Sequence, residues 1–399
     1  MSTPPVILQK GFRPFFLLAA LFAVGFLPLW IFIYTGRLQL GAYWDPSTWH
    51  GHEMVFGFAV AVVSGFLLTA VSNWTKRVTA VGPALAGLGA LWLAGRLAML
   101  LAASLPTLLV AIIDLAYIPA LAFAIGRPII LSKSRRNMKF LPILVVLFLT
   151  NLAMHLEALG ISALGARSAL LPALDLIILI TLIVSGRIIP LFTRNATRAD
   201  GIKSLPRVEK LMFTLVLTSI ILQAVFGGTD HISASPTLGP ILTSVAAILA
   251  GLAIFWRSMP WGFRHTLNAP ILWVLHIAHA WLALGFILRG LTIWITPLSG
   301  SMATHALTIG GIGLMILGMM VRVSLGHTAR PIHASRLMTS AFILVILAAF
   351  GRTFLPILAP TQYIMWVMVS GTLFAGAFLL YTIEFAPVLV SPRADGKEG

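Results

Sequence analysis

Residues 53–73 read EMVFGFAVAVVSGFLLTAVSN, and this stretch decides the fold. One carboxylate, Glu53, stands at its start, and the rest is apolar or weakly polar. At 1.5 Å per residue, a helix of this length reaches about 30 Å, the hydrocarbon thickness of a bilayer. Similar runs recur at about 14–35, 82–104, 106–132, 140–158 and 168–192, then at about 208–226, 238–257, 268–295, 302–324, 336–356 and 361–388. The pattern predicts an all-α, polytopic integral membrane protein of about twelve transmembrane helices. The third and fourth runs are separated only by Ser104, Leu105 and Pro106.

Composition agrees with that reading. Hydrophobic residues make up 59% of 399 positions and charged residues 10%, with a mean hydropathy of +0.99, which excludes a soluble globular domain. The net charge of +16 would suggest nucleic acid in a soluble protein, but the basic residues sit in short loops such as Lys133, Arg135, Arg136 and Lys139. Anionic lipid headgroups and the positive-inside bias account for them, so no nucleic-acid partner is expected. The odd-numbered loops carry only Arg37, Arg167 and Arg289, so both termini are expected in the cytoplasm. Met1–Lys10 has no cleavage signature, and the first run is expected to be a retained span.

The chain is expected to form one membrane domain over 1–399, with halves at 1–192 and 208–399 joined by the charged loop Thr193–Lys210. His52, Gly57 and Gly65 share their offsets with His305, Gly310 and Gly318, a pattern that an internal repeat would produce.

There is no cysteine, so thiolate metal sites and thiol nucleophiles are excluded, leaving His, Met and carboxylate as ligands. His50 and His52, beside Glu53, lie where a polar loop enters a span. Alternate residues of a helix point about 200° apart, so the two rings can share a ligand only if the helix begins between them, which Gly51 permits. The competing reading is an interfacial cap with both rings wet. His276 and His279, three residues apart, share one face of the ninth span and suit either a metal or hydrogen bonds to a neighbouring helix. His155, beside Glu157, and His305 stand at the outer ends of the fifth and tenth spans. Histidines on four helices suit a haem or copper site built inside a bundle.

Arg96, Asp114, Asp175, Arg187, Arg352 and Glu384 are intramembrane charges that must pair or face water. Arg13 and Arg187 are candidate partners for haem propionates, with ion pairing as the alternative. Met315, Met319 and Met320 suit packing better than copper ligation.

The run Gly11-Phe12-Arg13-Pro14-Phe15-Phe16, then His50-Gly51-His52-Glu53-Met54 and Gly65-Phe66-Leu67-Leu68-Thr69-Ala70, resembles the opening of NnrS proteins. His305-Ala306-Leu307, Gly310, Met320, Arg322 and Leu325-Gly326-His327-Thr328-Ala329-Arg330 resemble their second signature, with Ala329 where a glycine is expected. The resemblance implies a bacterial inner-membrane protein with haem and copper, acting in nitric oxide metabolism or resistance to nitrosative stress. It makes His50, His52, His305 and His327 conspicuous, and His327 is expected past the end of its helix, away from an outer site. Nitric oxide and membrane lipids are the partners it implies, with the electron donor unnamed.

Turnover is left open by that resemblance. A nitric-oxide-reducing oxidoreductase would need electrons from a donor and protons along a polar path, for which Glu53 and Glu157 are the candidates. Two other classes fit twelve spans: a secondary transporter with a histidine-lined path, and a haem electron relay with both axial positions filled.

Overall fold

The computed structural model describes residues 4–39, 43–226 and 237–397, and every regular element among them is helical. Twelve helices among the described residues are long and apolar enough to cross a bilayer. They are α1 (Phe12–Tyr34), α2 (Pro46–Thr75), α3 (Pro83–Leu100), α4 (Thr107–Leu131), α5 (Phe140–Ala158) and α6 (Ala166–Thr197). The second six are α7 (Pro206–Phe226), α8 (Leu238–Trp261), α9 (Pro270–Leu291), α10 (Gly300–His327), α11 (Arg336–Leu358) and α12 (Pro360–Val390). The expected all-α membrane architecture is therefore present, including the break before Pro106 that separates α3 from α4. Large side chains such as Phe123, 75% exposed, clothe outward helix faces, as lipid-facing surfaces require.

Two of the boundaries that differ from the hydropathy reading bear on histidines. α2 starts at Pro46 rather than near Glu53, because Asp45 is an N-cap whose carboxylate accepts from the Ser47 and Thr48 amides at 2.9 and 3.2 Å. Burial works against the Asp45 charge, but hydrogen bonds from Thr48 and Ser47 outweigh it and hold the carboxyl below its usual range. The helix thus runs through His50, Gly51 and His52, with no break at Gly51. At the other boundary, α10 extends to His327, which closes the helix rather than lying beyond it.

Inside α2 and α10 the chain widens into a π-helical stretch, over Glu53–Ala59 and Ala306–Gly313. Each begins at the residue after a histidine, His52 or His305. Such widened turns change which face the following residues present, and they recur at functional sites.

Contacts divide the chain into two compact units. The first comprises Met1–Ile177, Val323–Pro331 and Tyr381–Gly399; the second comprises Ile178–Arg322 and Ile332–Leu380. In the first, Gly57 and Gly65 of α2 receive Phe22 and the Phe15–Phe16 pair of α1, where a Cβ would crowd the rings. In the second, Gly310 and Gly318 of α10 receive Trp281 and the Val274–Leu275 pair of α9 in the same manner. In both cases the two contacted residues on the neighbouring helix lie two turns apart. The matched histidine and glycine offsets therefore correspond to one local structure built twice. Close helix approach elsewhere in the second unit also relies on small residues: Gly251 faces the Ala283 carbonyl, and Ser244 Oγ donates to the Gly290 carbonyl at 2.6 Å.

Candidate metal centre

Four helices of the first unit bring polar side chains to one buried point. α2 supplies His52 and Glu53, α3 supplies Arg96, α4 supplies Asp114, and α5 supplies Asn151 and His155. His52 and His155 are fully buried, and Glu53 and Asp114 nearly so, at 1% and 2% exposure. A ring nitrogen from each histidine and an Asp114 oxygen all lie within 4.8 Å of one another.

The hydrogen bonds assign the protons. His52 Nδ1 lies 2.9 Å from Glu53 Oε1, while Nε2 lies 3.0 Å from Asn151 Oδ1 and 3.3 Å from Asp114 Oδ2. Asn151 Nδ2 donates to Asp114 Oδ2 at 2.8 Å, which fixes the amide so that its oxygen faces His52. Both ring nitrogens of His52 thus face acceptors, the environment of an imidazolium. Charge accounting agrees: Arg96 is ion-paired with both Glu53 and Asp114, so one guanidinium meets two carboxylates and one more positive charge is needed. Protonated His52, or a cation in place of its Nε2 proton, supplies it.

His155 is held differently. Its Nε2 lies 3.0 Å from Asp114 Oδ2, and its Nδ1 lies 2.7 Å from the Tyr43 hydroxyl. Burial, reinforced by the negative charges of Asp114 and Glu157, pushes the Tyr43 phenol well above its usual range, so it stays protonated. A phenol can donate to Nδ1 or accept from it, and so follows the His155 tautomer. Trp44 covers both imidazoles, with ring centroids 4.9 Å from His52 and 5.4 Å from His155.

The other sequence candidates are placed elsewhere. His50 does not join His52: the unbroken helix turns it toward α1, where it stacks on Trp30 at 4.0 Å and on Phe26 at 6.0 Å. The wet-cap reading also fails for His52, which no solvent reaches. His276 and His279 share a helix but are taken by different neighbours, His276 Nε2 by Thr193 Oγ1 at 3.0 Å and His279 Nε2 by the Ile254 carbonyl at 3.3 Å. His305 Nδ1 donates to the Ser301 carbonyl at 2.7 Å, and the His327 ring packs on Phe12 at 5.5 Å.

Arg13 caps the end of α12 by donating to the carbonyls of Leu389 and Ser391, at 2.8 and 2.9 Å. Arg187 is half-buried on α6. Glu157 accepts from Trp44 Nε1 at 3.2 Å, whereas Glu53 is part of the cluster. Met315, Met319 and Met320 are buried in the second unit, as a packing role requires.

Three cluster members escape the sequence reading as site residues. Arg96 and Asp114 stand out there only as intramembrane charges that must pair or face water, and Asn151 not at all. A usable signal exists, since Asn151 and His155 are four residues apart and share one helix face.

No curated protein matches the chain. A family model described as NnrS protein matches residues 6–393, nearly the whole sequence. With twelve membrane helices in place and the motifs of both signatures on the chain, this protein belongs to the NnrS family.

Proposed function

We propose that this protein is a haem- and copper-binding protein of the bacterial inner membrane, acting in the response to nitric oxide, with copper held by His52, Asp114 and His155. The observation that carries the reading is the enclosed set of two imidazoles and one carboxylate within 4.8 Å. That donor set suits copper, and the cluster has one unmet negative charge for a cation to balance.

Bound there, copper would supply a redox-active centre able to take a ligand such as nitric oxide. The residues around it do the rest. His52 gives up its Nε2 proton and stays anchored through Nδ1 to Glu53, the carboxylate–imidazole arrangement that orients metal ligands. Tyr43 accepts from His155 Nδ1, so that Nε2 presents its lone pair. Arg96 keeps Asp114 ionised and fixed, and Trp44 keeps bulk water off the imidazoles.

For haem, the donor chemistry favours His305. Its Nδ1–H bond to a backbone carbonyl sets Nε2 as the lone-pair nitrogen, as in imidazole ligands generally. His276 is the alternative, because Thr193 already donates to the Ile189 carbonyl and so accepts from His276 Nε2, leaving Nδ1 as the basic nitrogen.

The reading is tested by visible spectra of the reduced protein and electron paramagnetic resonance spectra of the oxidised protein, each recorded before and after nitric oxide is added. A Soret band and a copper signal that both respond to the gas are expected. A colourless, metal-free protein that stays so after reconstitution would refute the reading and leave the cluster as a proton relay. Tyr43→Phe is expected to weaken copper binding about 10–100-fold while leaving the fold intact.

A further inference from the structure

The structure built at His52 in the first unit is repeated at His305 in the second, but its charges are not. In the first unit the helix after the π stretch brings in a buried arginine, Arg96, neutralised by Glu53 and Asp114. In the second unit the next helix, α11, likewise brings in a buried arginine, Arg352, only 5% exposed. The residue after the histidine is there Ala306 instead of a glutamate. Among the described residues no carboxylate pairs with Arg352.

Its partners are hydroxyls. Arg352 Nη2 donates to Ser301 Oγ at 2.9 Å and to the Tyr363 hydroxyl at 2.8 Å, and the guanidinium lies 5.1 Å from the Tyr363 ring centre. Arg352 Nη1 is buried and has no hydrogen-bond partner. His305 braces the arrangement by donating from Nδ1 to the Ser301 carbonyl at 2.7 Å.

Both hydroxyls accept from the guanidinium, so their own protons are directed elsewhere. The group therefore offers Nη1–H, the Ser301 O–H and the Tyr363 O–H, all donors, around an uncompensated positive charge within membrane spans. Such a charge is costly unless it is paired, and donors without an acceptor form the shell of an anion.

We propose that Arg352, Tyr363 and Ser301 form an oxyanion-binding site at the junction of α10, α11 and α12, taking a phosphate or similar oxygen-bearing anion. The planar guanidinium with its flanking hydroxyls matches phosphate oxygens, whether free or on a lipid headgroup. The two units thus carry sites of opposite preference on one local frame, a cation at His52 and an anion at Arg352. This site does not depend on metal binding in the first unit.

The test uses the full-length, delipidated protein in detergent at constant ionic strength, with inorganic phosphate and phosphatidylglycerol as probes. Phosphate affinity is read from the shift in thermal midpoint, and lipid retention from native mass spectrometry. Wild-type protein is expected to bind one of them, with Arg352→Gln weakening that binding at least about tenfold. Tyr363→Phe keeps the charge and is expected to weaken it several-fold, and the exposed Arg135→Gln should leave it unchanged. A phosphate-dependent shift points to a free anion, and phosphatidylglycerol retention without one points to a headgroup. If wild-type protein binds neither probe, or if Arg352→Gln and Tyr363→Phe both bind like wild type, the proposal is overturned. Tyr363→Phe alone remains informative if Arg352→Gln does not fold.

Discussion

Replacing Arg96 by methionine is expected to destabilise the protein by roughly 3–5 kcal/mol, the usual cost of removing one partner from a buried ionic cluster. Met matches the arginine stem in length but leaves Glu53 and Asp114 facing each other inside the spans, with only His52 to balance them. The missing Cβ of Gly57 gives room for the Arg96 stem, and the methionine refills that space, so the cost is electrostatic. A loss of this size is a large share of the stability of an ordinary domain, so the variant should also accumulate poorly in the membrane. Thermal unfolding of detergent-purified protein checks it, and a midpoint equal to wild type would show that Arg96 does not hold the cluster together. Arg96→Lys should fall between the two, since one ammonium cannot bridge both carboxylates with the guanidinium's geometry.

Asp114→Asn is the second large effect. Asp114 Oδ2 is approached by His155 Nε2, His52 Nε2 and Asn151 Nδ2 at 3.0, 3.3 and 2.8 Å, so it is the hub of the arrangement. The amide keeps the shape but removes the anionic oxygen and the charge that makes the site attractive to a cation. Copper is expected to fall to background in the purified variant, while the helical content persists. Glu157→Gln gives the contrast: Glu157 accepts from Trp44 rather than from either imidazole, and copper content should stay near wild type. Equal losses in both variants would mean that general loss of negative charge, and not ligation, governs the metal.

The architecture was legible because a bilayer permits few solutions. Once the apolar runs reach spanning length, every backbone group must be satisfied within a helix, and the positions of charge, Gly and Pro mark the ends. Pro106 set the division of α3 from α4 in this way.

The site was legible only in part. His52, Glu53 and His155 stand out as polar groups near span ends, but joining them requires knowing which helices touch, which no periodicity encodes. Gly51 misled for a definite reason: a glycine allows a break without requiring one, and the Asp45–Pro46 start made an unbroken helix cheaper. That unbroken helix sent His50 and His52 to opposite sides. Asn151 gave no charge signal, and the π stretches after His52 and His305 have no marker in composition. The offset shared by the two histidines and their glycines was the one trace of them, and its meaning emerged from packing against Phe22 and Trp281.

The most direct test of the central claim is the copper stoichiometry of purified, copper-reconstituted protein for wild type, His52→Ala and His155→Ala, with His279→Ala and the exposed His333→Ala as comparisons. The account predicts bound copper in wild type and in both comparison variants, and its loss in His52→Ala and in His155→Ala. Copper retained in both of those variants, or lost equally in His279→Ala, would contradict it.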